Sequence, residues 1–375
     1  MSTTTSTAAA RQTEADFLPI EGWDHIEFYV GNARQAAHFY RTCFGFDIIA
    51  YSGLETGNRQ TASYVLSQGN IRFVLTSALG PDHEINRFCQ LHGDGVRTIA
   101  LRVPDVESAI RETRKRGATV VRPPTSAQDE FGSVKTAAIR TYGDVQHVFV
   151  ERGGYKGPFM PGYRPFTAPK ARSAGLAHID HVVGNVELGA MNHWVQFYAN
   201  VMGFSQLAHF DDKDISTEYS ALMSKVMQNG TGKVKFPINE PAEGRRKSQI
   251  EEYLDFNFGP GVQHVAMGTA DILQTVRTLR DNGMQFLRVP DTYYEALPQR
   301  VGKISEDYDT IRDLGILVDR DDEGYLLQIF SQPVQDRPTL FFEVIERHGS
   351  RGFGKGNFKA LFVSIEEEQR RRGNL

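Results

Sequence analysis

The sequence predicts an α+β fold made of four βαβββ modules, two in each half of the chain. Internal repeats carry this prediction. Segment 39–50 resembles segment 197–208, and in both a helical pattern ends before a Gly-Phe pair. Segment 95–117 resembles segment 261–283, and in both a strand pattern precedes a helical pattern that ends in glycine. The four modules therefore begin near residues 23, 96, 179 and 262.

Each module should open with a strand, continue with an amphipathic helix and close with β-rich segments. The first helix of each half should stop at Gly45 or Gly203, because glycine readily adopts the left-handed conformation that ends a helix. The closing strands are short runs rich in Val, Ile, Leu and Phe, at 73–76, 145–150, 326–330 and 340–345. A last amphipathic pattern, at 360–372, predicts a C-terminal helix.

The length of 375 residues favours two domains. We predict a disordered tail at 1–18, an N-terminal domain without metal at 19–152 and a catalytic domain at 177–375. Between them, segment 153–176 is rich in Gly, Pro and basic residues, which is typical of a linker.

Composition excludes several classes of function. A formal net charge of −4 gives no reason to expect nucleic acid as a partner. No apolar run approaches the ~18 residues that a membrane helix needs, and the N-terminus lacks the features of a secretory signal. Two cysteines are too few for a disulfide framework or a thiolate metal site. A cytoplasmic protein follows by elimination.

Three polar residues of the second half stand out as candidate metal ligands. His181 and His264 occupy equivalent points on the opening strands of the third and fourth modules, 83 residues apart. Glu343 lies in an apolar closing strand, where burial of a carboxylate is costly unless a cation compensates it. Two imidazoles and one carboxylate are the ligand set of non-haem Fe(II) oxygenases, which leaves metal positions open for substrate and O2.

The first half retains one of these three positions. His25 matches His181, whereas Thr98 and Val148 stand where the second half has His264 and Glu343. A lone strand histidine is more often a hydrogen-bonded core residue than a ligand. We therefore predict that His25 is a relic of the duplication and that the metal site belongs to the second half.

The second half resembles the 4-hydroxyphenylpyruvate dioxygenase family of the vicinal-oxygen-chelate superfamily. The resemblance rests on six stretches in the same order, at 236–241, 247–250, 261–264, 315–322, 327–330 and 352–358. It implies two open β-barrel domains, each of two modules, with a C-terminal helix. It also implies one Fe(II) per chain, held by His181, His264 and Glu343.

The resemblance further implies a substrate pocket of amide, hydroxyl and aromatic side chains. It assigns catalytic roles to Asn239, Gln263 and Gln328, and substrate contacts to Ser224, Gln249, Phe330, Phe341, Phe353 and Phe358. Other readings stay open: Ser224 and Gln249 also suit surface positions on helices, and a set of phenylalanines is usually core. Phe353 and Phe358 fall in a Gly-rich stretch that should form a loop.

The activity implied by the resemblance converts 4-hydroxyphenylpyruvate and O2 into homogentisate and CO2, a step of tyrosine and phenylalanine catabolism. It also implies a homo-oligomer. The alternatives are a 4-hydroxymandelate synthase, which oxidises the side chain of the same substrate, an extradiol catechol dioxygenase, and a non-catalytic small-molecule binder of the same fold. The C-terminal helix could be a packed terminal helix or a lid over the pocket.

Overall fold

In the computed structural model, which describes residues 16–210, 221–242 and 246–374, the chain forms two curled, mixed β-sheets with helices packed on them. The strands of the first half are β1 (Gly22–Tyr29), β2 (Asp47–Ser52), β3 (Thr61–Gln68), β4 (Ile71–Ala78), β5 (Gly95–Arg102), β6 (Val120–Asp129), β7 (Gly132–Arg140), β8 (Gln146–Glu151) and β9 (Arg164–Pro165). Those of the second half are β10 (Leu176–Asn185), β11 (Ser205–Phe210), β12 (Ala221–Gln228), β13 (Lys235–Ala242), β14 (Gly261–Thr269), β15 (Leu317–Arg320), β16 (Tyr325–Phe330) and β17 (Phe341–His348).

The helices lie between these strands and at the C-terminus. They are α1 (Ala33–Phe44), α2 (Glu84–His92), α3 (Val106–Lys115), α4 (Met191–Asn200), α5 (Gln249–Asn257), α6 (Ile272–Asp281), α7 (Asp291–Glu295), α8 (Leu297–Val301), α9 (Tyr308–Leu314) and α10 (Lys355–Arg371). A short 3₁₀ turn spans Leu54–Thr56.

The predicted α+β fold of βαβββ modules is confirmed. In the described residues, the first sheet has the order β6-β7-β8-β5-β1-β4-β3-β2-β9 and the second β11-β12-β13-β10-β14-β17-β16-β15. The two opening strands of each half pair antiparallel at the centre of their sheet, β1 with β5 and β10 with β14. Each opening strand also pairs in parallel with the last strand of its own module. The fourth module departs from the pattern because α7, α8 and α9 stand between its helix and β15.

Local sequence signals set the helix ends. Gly45 and Gly203 adopt φ of 77° and 72°, as their predicted role as helix stops requires. The side chains of Asp105 and Asp271 cap α3 and α6 by accepting from the backbone N–H groups three residues later. The same capping residue at the same module position is a physical trace of the duplication.

One apolar core is shared by both halves, because the helix-covered faces of the two sheets pack against each other. The packing is pseudo-symmetric. Tyr40 of α1 lies edge-to-face on Phe342 of β17, with ring centroids 5.7 Å apart. Tyr198 of α4 meets His147 of β8 in the corresponding contact, with centroids 5.6 Å apart. The first helix of each half thus packs on the last strand of the other half.

Of the predicted tail, the structure describes only the last residues, whereas it describes the whole of the predicted linker. Most of the tail, 1–15, is outside the described residues, whereas Leu18 is buried in the shared core. Segment 153–176 lies along the first sheet: β9 pairs with β2, and Phe159 packs with Ala50 and Val65. Among the described residues, no helix has the length and apolar character needed to span a membrane.

The pseudo-symmetric contact at His147 predicts an acid-sensitive interface. The imidazole is fully buried, and its Nε2 lies 2.9 Å from the hydroxyl of Tyr198. Burial lowers the pKa of His147 from 6.5 to about 4. Between these values the unfolded chain binds a proton that the folded chain excludes, so acid weakens folding. We expect a loss of about 3 kcal/mol of stability from pH 6.5 to pH 4 from this group alone.

Urea unfolding at several pH values checks this expectation. His147→Phe copies the residue at the pseudo-symmetric position, so its stability should fall less steeply than that of the parent chain below pH 6.5. His38→Ala, at an exposed position of α1, is the control and should keep the parent slope. Equal slopes for the parent chain and His147→Phe would contradict the assignment.

Candidate metal centre and substrate pocket

The three predicted metal ligands meet on adjacent central strands of the second sheet. His181 lies on β10, His264 on β14 and Glu343 on β17. The register runs across the sheet from His181 through Ala266 to Glu343. Oε2 of Glu343 lies 3.2 Å from Nε2 of His181 and 3.3 Å from Nε2 of His264. His181 and Glu343 lie at the same level of the sheet, and His264 lies two residues along β14 on the same face, so side chains that are 79 or more positions apart in sequence converge.

His181 is oriented by a buried ion pair behind it. Its Nδ1 lies 2.7 Å from Oδ1 of Asp180. Arg347 donates to both oxygens of Asp180, from Nε and Nη2, at 2.8 Å each. A carboxylate held by arginine can only accept, so Nδ1 of His181 carries the proton and the lone pair of Nε2 faces Glu343.

His264 is oriented by the neighbouring amide. Its Nδ1 lies 3.0 Å from Oε1 of Gln263. An amide oxygen accepts, so this Nδ1 also carries the proton and Nε2 of His264 also presents a lone pair to the centre. The ring of Phe341 stacks on the imidazole at 4.8 Å and fixes its plane.

Electrostatics favour a carboxylate at the centre. Burial disfavours the charged form of Glu343, but the imidazoles of His181 and His264 outweigh burial and lower its pKa to about 2. Burial would lower the pKa of His181, yet Glu343 and Asp180 together raise it. Burial lowers the pKa of His264. At neutral pH Glu343 is therefore a carboxylate, and together with the Nε2 atoms of the two imidazoles it offers the ligand set that a cation needs.

This donor set fits a metal ion. Two Nε2 lone pairs and one carboxylate oxygen point to one place in a buried site. Metal-bound histidines usually donate their other N–H to an acceptor, and here Asp180 and Gln263 are the acceptors. A metal cofactor held by His181, His264 and Glu343 is the arrangement that the geometry supports.

A cavity of about 650 Å³ opens beside the three ligands. Of the other predicted site residues, eight line it: Ser224, Asn239, Gln249, Gln263, Gln328, Phe330, Phe353 and Phe358. Phe341 does not line this cavity but packs behind it, on His264 and Phe330, which both do.

The amide side chains are partly held by neighbours. Gln328 accepts from Nδ2 of Asn357 at 3.4 Å, and Asn239 donates to Oδ1 of Asn185 at 3.3 Å. In the described part of the chain, the Ser224 hydroxyl and the Gln249 carboxamide have no hydrogen-bond partner. Ser224 lies on β12, so its alternative placement on a surface helix was wrong, and Gln249 opens α5 with its side chain buried.

Aromatic rings form the wall near the ligands. Phe353 lies 5.0 Å from the ring of His181, and Phe330 lies 6.0 Å from that of His264. Phe358 packs edge-to-face on Phe210 at 4.8 Å. The placement of Phe358 in a loop was wrong, because α10 starts at Lys355 and carries Phe358 in its first turn. The Gly-rich stretch ends at Gly354, whose φ of 73° precedes the helix.

Eight further lining residues were missed, and most had a sequence signal. Strand residues two positions apart share a face, and this spacing from His181, Ser224, Asn239 and Glu343 gives Val183, Leu222, Val226, Pro237 and Ile345. Helical spacing of three and four from Phe358 gives Leu361 and Phe362. Phe210 had no such signal, because only the pairing of β11 with β12 places it opposite Ser224.

The first half keeps the surroundings of His181 but has a histidine at only one of the three ligand positions. His25 pairs through Nδ1 with Asp24 at 2.7 Å, and Arg152 donates to both oxygens of Asp24 at 2.6 and 2.7 Å. Phe159 packs on His25 as Phe353 packs on His181. The prediction that His25 is a buried, hydrogen-bonded residue is confirmed, and among the described residues no metal-type cluster includes it.

Comparisons with known proteins agree with this architecture. The sequence model of the Glyoxalase/Bleomycin resistance protein/Dioxygenase superfamily matches residues 22–141 and 168–329. Proteins named 4-hydroxyphenylpyruvate dioxygenase from Danio rerio and Yarrowia lipolytica are 49% and 47% identical to this chain; each alignment covers 94% of it, and 91% and 93% of those relatives.

A solved structure shares the fold. A mutant of 4-hydroxymandelate synthase from Streptomyces coelicolor superposes with a TM-score of 0.85 at 32% identity, over 94% of this chain and all of that one. Whole-chain identity is thus higher to the curated dioxygenases than to the synthase. The chain belongs to the Glyoxalase/Bleomycin resistance protein/Dioxygenase superfamily and, within it, to the family of the 4-hydroxyphenylpyruvate dioxygenases.

Proposed function

We propose that this protein is an Fe(II)-dependent dioxygenase that converts 4-hydroxyphenylpyruvate and O2 into homogentisate and CO2. The observation that carries the proposal is the convergence of His181, His264 and Glu343 at one wall of a cavity lined by amides and phenylalanines. The ligand set is the one typical of Fe(II) oxygenases. The names of the relatives supply the substrate class.

Fe(II) at this centre would supply open positions for the 2-oxo acid and O2, and electrons for activating O2. The chain's own residues prepare that place. Glu343 offsets one of the two positive charges of the ion. Asp180 and Gln263 keep the protons of the two histidines on Nδ1, so that both Nε2 atoms stay available.

The cavity walls have two tasks. Asn239, Gln328 and Ser224 offer hydrogen bonds that can hold the phenol or the keto acid and so orient the ring. Phe330 and Phe353, which flank the histidines, keep water away from the reacting atoms. Because the substrate contains its own 2-oxo acid, no separate 2-oxo acid is needed to balance the reaction.

Ring oxidation is favoured over side-chain oxidation by the identities to the relatives, 47–49% to proteins named for the dioxygenase and 32% to the mutant synthase. Anaerobic loading with Fe(II), followed by O2 and 4-hydroxyphenylpyruvate, tests the proposal directly. Chromatography should show homogentisate and CO2 in equal amounts. Formation of 4-hydroxymandelate would contradict the proposal and indicate a 4-hydroxymandelate synthase.

The same preparation tests the remaining alternatives. Oxygen uptake with catechol in the absence of a 2-oxo acid would indicate an extradiol dioxygenase. Substrate binding without iron or oxygen uptake would indicate a non-catalytic binder. The homo-oligomeric state and the cytoplasmic location stay predictions, of which sedimentation velocity tests the first.

The C-terminal helix is proposed as the cover of the cavity. Phe362 of α10 packs with residues of β11, β12 and α5, whereas Leu361 and Ile365 pack with residues of β15, β16 and β17. The helix therefore bridges the two edges of the curled sheet. Its C-terminal end is tied to α5, because Arg372 donates to Glu252 at 2.7 Å.

Deleting residues 358–375 should reduce turnover by about 100-fold or more while metal affinity changes little, because water would enter the cavity but the three ligands would stay. Steady-state turnover and equilibrium metal dialysis check the two halves of this expectation. Arg372→Gln, which removes one of the two contacts of the helix end with Glu252 and leaves that of Asn374 at 2.8 Å, should have a smaller effect. Unchanged turnover after the deletion would rule out the cover role.

A further inference from the structure

Three ionisable side chains outside the substrate cavity converge at the C-terminal end of β17. Glu346 and His348 are two residues apart and therefore share one face of the strand, opposite to the face that carries Glu343. Glu306 reaches them from the loop before α9. Nε2 of His348 lies 2.8 Å from Oε1 of Glu346 and 3.0 Å from Oε1 of Glu306, and one ligand atom of each residue lies within 4.8 Å of the others.

The charges of this cluster do not balance. Among the described residues, His348 is the only cation that forms a salt bridge with either carboxylate. Two carboxylates and a protonated imidazole sum to −1, and a neutral imidazole leaves −2. Both glutamate side chains are only 10% exposed, so water screens this excess poorly. A divalent cation with a neutral imidazole would bring the sum to zero.

One atom of the cluster lacks a partner. Oε2 of Glu306 is buried, and in the described part of the chain it accepts no hydrogen bond. A buried carboxylate oxygen without a donor is expensive, since it has lost its water and gained nothing in return. A metal ion would compensate it directly.

The other parts of the cluster are held in place. The ring of Tyr325 stacks on the imidazole of His348 at 4.4 Å with nearly parallel planes. Oε2 of Glu346 accepts from the backbone N–H of Ile272 at 2.7 Å, which leaves its Oε1 for the cluster. The imidazole is 33% exposed, so an ion can reach the site from solvent.

We propose that Glu306, Glu346 and His348 form a second divalent-cation site, for which Zn²⁺ is the best fit. One imidazole and two carboxylates are ligands that zinc accepts, and a fourth position would remain for water. Nε2 of His348 lies 2.8 and 3.0 Å from the two carboxylate oxygens. These separations are close to the 3.2 and 3.3 Å between Oε2 of Glu343 and the two Nε2 atoms of the first centre. The role is structural: the ion would fasten the loop before α9 to the strand that carries Glu343.

Zinc titration of the metal-free full-length chain, with metal counted by mass spectrometry after dialysis, tests the proposal. The parent chain should bind two Zn²⁺, because the first centre also accepts zinc. Glu306→Gln keeps the shape of the side chain and should bind one. Glu343→Gln should also bind one, and the double variant none.

A second measurement distinguishes loss of the zinc site from misfolding of a variant. In the Glu343→Gln background only the new site remains, and Zn²⁺ at about a hundredfold excess over its Kd should raise Tm by about 3 °C. His348→Ala in that background should abolish the rise, whereas His38→Ala should keep it. One Zn²⁺ in the parent chain, retained in Glu306→Gln and lost in Glu343→Gln, would overturn the proposal and leave the first centre intact.

Discussion

Replacing Glu343 with glutamine should abolish iron loading of the centre formed with His181 and His264, and turnover with it. The amide keeps the shape of the side chain but removes the negative charge that lies 3.2 and 3.3 Å from the two imidazoles. Without it the cation would enter a buried site with neutral ligands only. We expect turnover to fall by more than about 1,000-fold, as when a residue of a catalytic unit is lost. Iron analysis and product formation on one sample measure both effects.

Glu27 supplies a matched control. It lies two residues after His25 on β1, inside the first sheet, and accepts from the hydroxyls of Thr76 at 2.8 Å and Thr98 at 3.1 Å. Glu27→Gln therefore removes a half-buried, hydrogen-bonded carboxylate from the first half of the chain, and it should leave iron content and turnover unchanged. His181→Ala and His264→Ala should behave like Glu343→Gln. Full activity in any of the three would remove that residue from the centre.

Replacing Arg347 with methionine should cost about 3–5 kcal/mol of stability and, in addition, weaken metal binding by about 10–100-fold. The stability loss arises because Asp180 is buried and loses its bidentate partner. The loss of affinity arises because Asp180 then no longer holds the proton of His181 on Nδ1. Urea unfolding measures the first effect, and equilibrium dialysis with Fe(II) under argon measures the second.

The duplicated half again offers the control. Arg152 makes the same bidentate contact with buried Asp24, and the side chains of Arg152 and Arg347 are 17% and 18% exposed. Arg152→Met should therefore cost a similar amount of stability and leave metal affinity unchanged. If both variants weakened metal binding equally, the effect would come from general destabilisation, and the orienting role of Asp180 would be refuted.

The pH dependence of the Arg347 effect has a definite sign. Burial opposes ionisation of Asp180, but the hydrogen bonds from Arg347 and His181 outweigh burial and hold its pKa well below 3.8. A depressed folded pKa adds stability above the unfolded value, and that stability is lost as the pH falls through the folded value. The difference in stability between the parent chain and Arg347→Met should thus be largest near neutral pH and shrink below about pH 4.

Much of this molecule could be predicted from repetition in the chain. A comparison of the two halves separates two groups of residues. Residues that both halves share, such as the capping Asp105 and Asp271, serve folding, whereas residues present in the second half alone are candidates for the chemistry. His264 and Glu343 emerged in this way, because the first half has Thr98 and Val148 at their positions. These side chains converge in the structure because each candidate ligand occupies a fixed place in its own module, and the modules repeat with a nearly constant length.

The sequence by itself determined the class of fold, the four modules and the candidate ligand triad, since these depend on periodicity within the modules, and its resemblance to the 4-hydroxyphenylpyruvate dioxygenase family indicated most of the polar pocket. Tertiary structure alone decided the rest. It placed Phe341 behind His264, brought Phe210 to the cavity, laid α10 across both sheet edges and joined Glu306 to Glu346 and His348. These contacts depend on strand pairing and on the curl of a sheet, which bring together residues whose separation in sequence follows no period.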